Sequence, residues 1–125
     1  MILIDSSGWI DIFTEGPRCE RYLEWAESDE EIIVPTVVVY EVYKIIRRQR
    51  PESEADIAAG RLREYRVIPL DDAIALEAAD YNLRLGLGMA DAIVYATARR
   101  FSATLVTGDS DFADIAGVEY IAGGE

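Results

Sequence analysis

The sequence predicts an α/β fold, a three-layer α/β/α sandwich around a mainly parallel sheet of four to five strands. Short apolar runs alternate along the chain with longer segments of helical periodicity. Gly and Pro mark several of the breaks between them. The chain has 125 residues, of which 50% are hydrophobic. This is the size of one domain, and we expect residues 1–125 to form it.

The predicted strands are short runs rich in Ile, Val and Leu. Most lack the alternation of polar and apolar residues that a strand with one wet face would have. This is typical of parallel strands that helices cover on both faces. We place them at Ile2–Ile4, Ile32–Val34, Arg66–Pro69 and Ala103–Thr107, with an edge strand at Val118–Ile121.

One segment, Thr36–Arg48, carries conflicting signals. Its three consecutive valines favour a strand by propensity. Against this, Val38, Glu41 and Ile45 fall on one helical face, and Thr36 follows Pro35 as a possible cap. We therefore predict a helix.

The other helices are predicted from their breaks and capping residues. Ser6 and Ser7 are candidate N-caps for the first helix, and Asp71 or Asp72 caps a later one with Leu85 on its inner side. The predicted bounds are Ser6–Phe13, Arg18–Ser28, Pro51–Glu64, Asp72–Leu85, Met89–Arg100 and a short Asp109–Asp114 helix.

The composition excludes several kinds of chemistry. There is no histidine, so imidazole cannot act as base, acid or metal ligand. The net charge is −12, and the carboxylates that produce it are the ligands preferred by Mg²⁺ and Mn²⁺. A passive nucleic-acid coat protein would normally be basic. A single cysteine and the lack of a long apolar stretch predict a cytoplasmic protein that does not enter a membrane.

Four carboxylates occupy informative positions. Asp5 ends the first strand and Asp109 follows the fourth, so both should lie at the carboxyl edge of the sheet, although Asp also caps helices routinely. Glu41 and Asp91 each lie within an apolar helical stripe, Asp91 together with Leu87, Val94 and Ala98. Burying such a group costs several kcal/mol unless it is paired or bound to a metal. Neither stripe offers a basic partner, and we therefore predict a metal site.

Four segments in order resemble the motifs of PIN-domain proteins. They are Ile2–Phe13 (ILIDSSGWIDIF), Val34–Val42 (VPTVVVYEV), Met89–Ala98 (MADAIVYATA) and Leu105–Phe112 (LVTGDSDF). Their span covers nearly the whole chain, and the ordered set is far more specific than any one member. The length and the lack of extra domains resemble the VapC toxin branch of that family.

The resemblance implies a metal-dependent endoribonuclease that acts as a toxin. Asp5, Glu41, Asp91 and Asp109 would bind one or two Mg²⁺ or Mn²⁺ ions. It also implies accessory roles for Asp111, Ser6 and Thr107, although capping or turn formation is the favoured interpretation of the latter two. The partners it implies are an RNA substrate, a cognate antitoxin and a second copy of the chain. We expect the C-terminal segment of the antitoxin to cover the helices that carry Trp9, Tyr22 and Glu41, with a basic side chain near the acids. Aromatic candidates for the dimer interface are Tyr22, Trp25, Tyr40, Tyr43 and Tyr81.

The substrate must be held by other residues. Lys44, Arg47 and Arg48 form the densest basic cluster with Arg50, near Tyr40 on the same helix, and we consider them for RNA binding. A solvated helix face would have the same composition. A free-standing PIN nuclease in RNA processing and a non-catalytic PIN-like binding module stay open as alternatives. A dehalogenase-type phosphatase is disfavoured, because Ser7 stands where its second acid is required.

Overall fold

The computed structural model describes residues 1–122 and contains a five-stranded parallel sheet. Strand β1 pairs in parallel with β4, which pairs with β5, while β2 pairs with β3. A bridge between Ile2 and Ile32, with a 2.8 Å bond from the Ile2 N–H to the Glu31 carbonyl, joins the two parts. The resulting order is β3-β2-β1-β4-β5. The strands are β1 (Ile2–Ile4), β2 (Ile33–Pro35), β3 (Arg66–Ile68), β4 (Thr104–Thr107) and β5 (Val118–Tyr120).

Six α-helices and one turn of 3-10 helix connect the strands in the described part of the chain. All were predicted, with bounds that differ by up to two residues. None is long and apolar enough to cross a membrane. The helices are α1 (Ser6–Thr14), α2 (Cys19–Ala26), α3 (Thr36–Gln49), α4 (Glu52–Leu62), α5 (Asp72–Leu85) and α6 (Met89–Arg100), and the 3-10 turn is Ser110–Phe112.

Both faces of the central sheet are covered. Successive residues of a strand point to opposite faces, yet all three residues of β1 are buried, as are all three of β2. The predicted three-layer sandwich is therefore confirmed. Helix α6 supplies much of the cover: Ala92–Ala98 are all buried, and the small alanines let the helix lie close to the sheet.

The ends of several elements differ from the sequence-based predictions. The N-cap of α1 is Asp5 rather than Ser6 or Ser7, and its side chain accepts the Ser6 N–H. Thr36 does not cap α3; its hydroxyl accepts the N–H of Leu70 instead. Leu85 is 42% exposed rather than on the inner side of α5. Which residue caps a helix, and which side chains of its last turn are buried, depends on how the chain turns at each end of the helix. Local sequence specifies these ends poorly.

A close contact between α1 and α2 depends on Gly8. A Cβ at this position would lie 2.6 Å from Cγ2 of Ile4 and 2.7 Å from the ring of Tyr22. Both neighbours are fully buried and cannot move aside. Tyr22 was predicted to be an interface residue; that prediction is wrong, because its ring fills the core beneath α1.

We expect Gly8→Ala to destabilise the fold by about 1–3 kcal/mol through overpacking. The matched control is Gly60→Ala in α4, where a Cβ meets nothing within 4 Å. In that partly exposed helical position alanine should stabilise by about 0.5–1 kcal/mol. Urea unfolding of both variants measures the difference. Equal effects of the two substitutions would contradict the packing described for Gly8.

Candidate active site

The strand order reverses its direction between β1 and β4. From β1 the chain adds β2 and β3 on one side, and then β4 and β5 on the other. In parallel sheets this reversal opens a crevice at the carboxyl ends of the two strands, where ligands bind. Asp5 follows β1 and Thr107 ends β4, so both lie at this crevice.

A hydrogen-bond chain fixes the acids on this edge. The Thr107 hydroxyl donates to Oδ2 of Asp5 at 2.9 Å and accepts the N–H of Asp109 at 3.0 Å. The other oxygen of Asp5, Oδ1, accepts the N–H of Ser6 at 2.8 Å. Oδ1 of Asp109 accepts the N–H of Asp111 at 2.9 Å, so Asp109 caps the 3-10 turn. Asp5 and Asp109 are thus capping residues and site residues at once.

Helix α6 brings a further carboxylate to the loop after β4. Asp91, in the first turn of α6, is partly buried. One carboxylate oxygen from each of Asp91, Asp109 and Asp111 lies within 4.8 Å of the other two. This spacing allows a single cation to contact all three side chains. Asp111, considered only as an accessory residue, is placed as closely as the others.

The acid from α3 joins the same cluster. Glu41 is partly buried, and burial followed by the charge of Asp5 raises the pKa of its carboxyl group. A hydrogen bond with Ser6 and the charge of Lys44 lower that pKa. Lys44, one helical turn away, therefore acts on Glu41 through its charge, but the described residues show no ion pair between the two side chains.

The charges of Asp5, Asp109 and Glu41 all act on Asp91, so the four predicted acids lie near one another. Burial, followed by the charges of these three neighbouring carboxylates, raises the pKa of Asp91 to about 7. Asp5 is 5% exposed, and its pKa is also raised by burial, against the hydrogen bonds from Thr107 and Ser6. Holding these carboxylates close together therefore costs folding free energy, and nearby basic side chains do not offset that cost.

The cluster fits a hard divalent cation. Its donors are carboxylate oxygens supported by a threonine hydroxyl, which suit Mg²⁺ or Mn²⁺ and offer nothing to a softer metal. A bound cation would relieve the repulsion that raises the pKa of Asp91.

The basic residues predicted to bind RNA follow Glu41 along α3. Nζ of Lys44 lies 4.9 Å from the centroid of the exposed Tyr40 ring. Arg47 is 3.7 Å from a Glu52 carboxylate oxygen, and Arg48 is exposed. Lys44 alone of these three influences the pKa of a site acid.

Two predictions on neighbouring positions need correction. Leu87 does not share a face of α6 with Asp91, because it precedes the helix, although it is buried. Sequence reasoning also missed Gly108, whose Cα lies so close to the Arg18 guanidinium and the Tyr22 hydroxyl that a side chain has no room. Its place between Thr107 and Asp109 was the available signal.

Comparison with known proteins agrees with this geometry. No curated protein matches the chain significantly. A toxin–antitoxin complex from Klebsiella pneumoniae contains a chain with 25% identity and a TM-score of 0.80, covering 97% of this chain and 100% of that one.

Other solved structures share the fold at lower identity. The sarcin–ricin loop-cleaving toxin VapC20 of Mycobacterium tuberculosis is 20% identical with a TM-score of 0.78, covering 93% of this chain and 95% of its own. VapBC2 of Rickettsia felis, bound to promoter DNA, is 15% identical with a TM-score of 0.76, covering 96% and 98%. The family model described as PIN domain matches residues 2–118. The chain therefore belongs to the PIN-domain family.

Proposed function

We propose that this chain is a Mg²⁺- or Mn²⁺-dependent endoribonuclease and the toxin of a toxin–antitoxin pair. The observation that carries the proposal is the convergence of Asp5, Glu41, Asp91 and Asp109 at the β1–β4 crevice, with the pKa of Asp91 raised to about 7. Membership of the PIN-domain family and the structural likeness to toxins support the same function.

The four acids would hold the metal, with Asp111 as a further ligand. A bound divalent ion supplies a more acidic water and neutralises charge that develops at a phosphodiester. Asp5 is already oriented, because each of its oxygens accepts a hydrogen bond. Thr107 keeps Asp5 and the Asp109 backbone in register, and the Ser6 side chain lies near Glu41. These contacts preorganise the cluster before substrate arrives.

Lys44 and Tyr40 are the residues of α3 best placed to hold the RNA. Lys44 is exposed and one turn from Glu41, and the Tyr40 ring is 60% exposed and lies against it. An ammonium group can contact a phosphate while the ring stacks on a base. Arg47 is further along the helix and already faces Glu52.

The chemical prediction concerns the acids. Asp5→Asn, Glu41→Gln and Asp91→Asn keep the side-chain shape and remove ligand charge. Each should lower the rate of RNA cleavage by about 100-fold or more, the scale seen when one preorganised electrostatic contact is lost. Asp56→Asn, on the exposed face of α4, is the matched control and should cleave at the parental rate. Parental activity in Asp91→Asn would show that the cluster is not the active site.

A second prediction uses the pKa of Asp91. In the folded, metal-free protein this group keeps its proton up to about pH 7, whereas the unfolded chain releases it near pH 3.8. The folded state therefore binds more protons in this window, and stability must fall as pH rises from about 4 to 7. Asp91→Asn lacks this titrating carboxyl group. Relative to the parent it should gain stability across the window and then level off.

Thermal melts at several pH values, with chelator and with Mn²⁺, measure this difference. At pH 8, Mn²⁺ at one hundred times its dissociation constant should stabilise the parent by about 2.7 kcal/mol. The same ion should have a much smaller effect on Asp91→Asn. A parental melting temperature that ignores both Mn²⁺ and chelator would contradict the metal site.

An antitoxin would dock between α1, α2 and α4. Two adjoining cavities of about 450 and 130 Å³ open there, and both are lined by Ile12, Phe13, Leu23 and Arg61. Ile57, at the rim, is 62% exposed. The sequence-based expectation placed the antitoxin on the helices that carry Trp9, Tyr22 and Glu41; the cavities favour α4 in place of α3. An amphipathic segment could bury its apolar side here, and a basic residue could reach the acid cluster.

A homodimer is also part of the proposal. Apolar side chains project into solvent from α5 and the start of α6, among them Leu76, Leu83 and Met89. Next to Met89 is an apolar cleft of about 450 Å³ between the two helices. A second copy that covers this surface would remove it from water. Tyr40, which is exposed, and the partly buried Trp25, Tyr43 and Tyr81 remain candidates for contact.

Co-expression with the product of the gene immediately upstream tests the partner. We expect the two proteins to co-purify, the complex to be inactive on RNA, and its affinity to fall with added salt. Ile57→Glu should weaken co-purification, whereas Gln49→Glu, at the end of α3, should not. Light scattering should give a dimer mass for the isolated chain. Independent purification with undiminished cleavage would favour a free-standing RNA-processing nuclease.

A further inference from the structure

An arginine from the start of α2 lies beside the loop that carries Asp109. Arg18 is the N-cap residue of α2 and is partly buried. A Cβ on Gly108 would collide with Nη1 of Arg18 and would lie 2.8 Å from the Tyr22 hydroxyl. Gly108 stands between Thr107, which binds Asp5, and Asp109. The guanidinium therefore rests against the backbone of the acidic site.

A buried hydroxyl lies under the same arginine. Tyr22 is 0% exposed, and its hydroxyl has no partner of good hydrogen-bond geometry among the described residues. Burial raises the pKa of Tyr22, while the nearby Ser7 hydroxyl and the Arg18 guanidinium lower it. A buried tyrosine hydroxyl without a hydrogen-bond partner destabilises the core relative to phenylalanine at the same position. The hydroxyl oxygen of Tyr22 is placed to accept an N–H of the Arg18 guanidinium when the arginine side chain moves toward it.

The Arg18 side chain lacks a carboxylate partner among residues 1–122: no Asp or Glu oxygen there lies within 4.0 Å of its guanidinium. Asp11 accepts the backbone N–H of Arg18 at 3.3 Å and does not pair with its side chain. A partly buried arginine without a counterion leaves several N–H groups for another anion.

We propose that Arg18 binds a phosphate of the RNA next to the scissile one, and that Tyr22 positions its guanidinium. This inference rests on the proposed ribonuclease function. An acidic crevice repels the polyanion that it must bind, so fixed cations have to flank the metal site. Lys44 supplies one from α3, and Arg18 supplies another from α2, on the side of Gly108 and Asp109. A planar guanidinium can hold one phosphate through two N–H groups.

Steady-state cleavage of a single-stranded RNA in Mn²⁺, at several KCl concentrations, tests this role. Arg18→Gln should raise KM by about tenfold, the value of one charged hydrogen bond, and leave kcat nearly unchanged. The dependence of log(kcat/KM) on log[KCl] should become shallower by about 0.7, as expected for one lost phosphate contact. Arg18→Lys keeps the charge and should recover the salt dependence and part of the KM.

The matched control is Arg63→Gln. Arg63 is exposed at the end of α4, before β3, and therefore at the edge of the sheet opposite the acids. The Arg63→Gln substitution removes the same charge from the molecule and should change neither KM nor the salt dependence of kcat/KM. Equal KM and equal salt dependence in Arg18→Gln and Arg63→Gln would overturn the proposal. So would a lower kcat with parental KM, which would identify Arg18 as a brace for the loop alone.

A third variant, Tyr22→Phe, removes only the buried oxygen. It should melt at or above the parental temperature, because no satisfied hydrogen bond is lost, yet raise KM by a few fold. A parental KM in Tyr22→Phe would remove Tyr22 from the proposal, and this variant decides the matter if Arg18→Gln fails to fold. If the parent itself does not cut RNA, the proposed function fails; an active parent with unaffected variants defeats only the assignment of Arg18.

Discussion

The hydrogen bond from Thr107 to Asp5 is the contact on which the site depends. It joins the ends of β1 and β4 at the point where the strand order reverses, and its acceptor is almost fully buried. Through the same hydroxyl it also fixes the backbone of Asp109. Removing this one oxygen would leave a buried carboxylate half satisfied and release the loop that carries two further acids.

The acid cluster sets stability against function. The same burial and proximity that raise the pKa of Asp91 are what a divalent cation needs in its ligands. The core around the site absorbs this cost, since β1, β2 and residues Ala92–Ala98 of α6 are buried. Neutral substitutions at these positions should raise the free energy of unfolding and weaken binding of the proposed cation. This is the trade-off expected of functional residues.

The layer architecture and the acids were predictable from sequence because each follows from a local pattern. Buried strands read as short apolar runs, and the helical stripe around Glu41 outweighed the strand propensity of three valines. Contacts between distant segments were not predictable in this way. Tyr22 under Gly8 depends on how α1 and α2 pack together, and Arg18 against Gly108 depends on how the start of α2 meets the loop after β4. Aromatic composition alone placed Tyr22 on the surface, whereas packing places it in the core.

The separation of Asp5 and Thr107 along the chain, 102 residues, has a consequence for synthesis. Strand β4 inserts beside β1, yet it is synthesised only after the six helices and two strands that lie between them in the chain. Until then β1 has one open edge, and Asp5 lacks its hydroxyl partner and two of its neighbouring acids. A contact between residues so far apart in the sequence forms late and slowly. A nascent chain therefore carries no assembled acidic centre until β4 and the loop that carries Asp109 have been made.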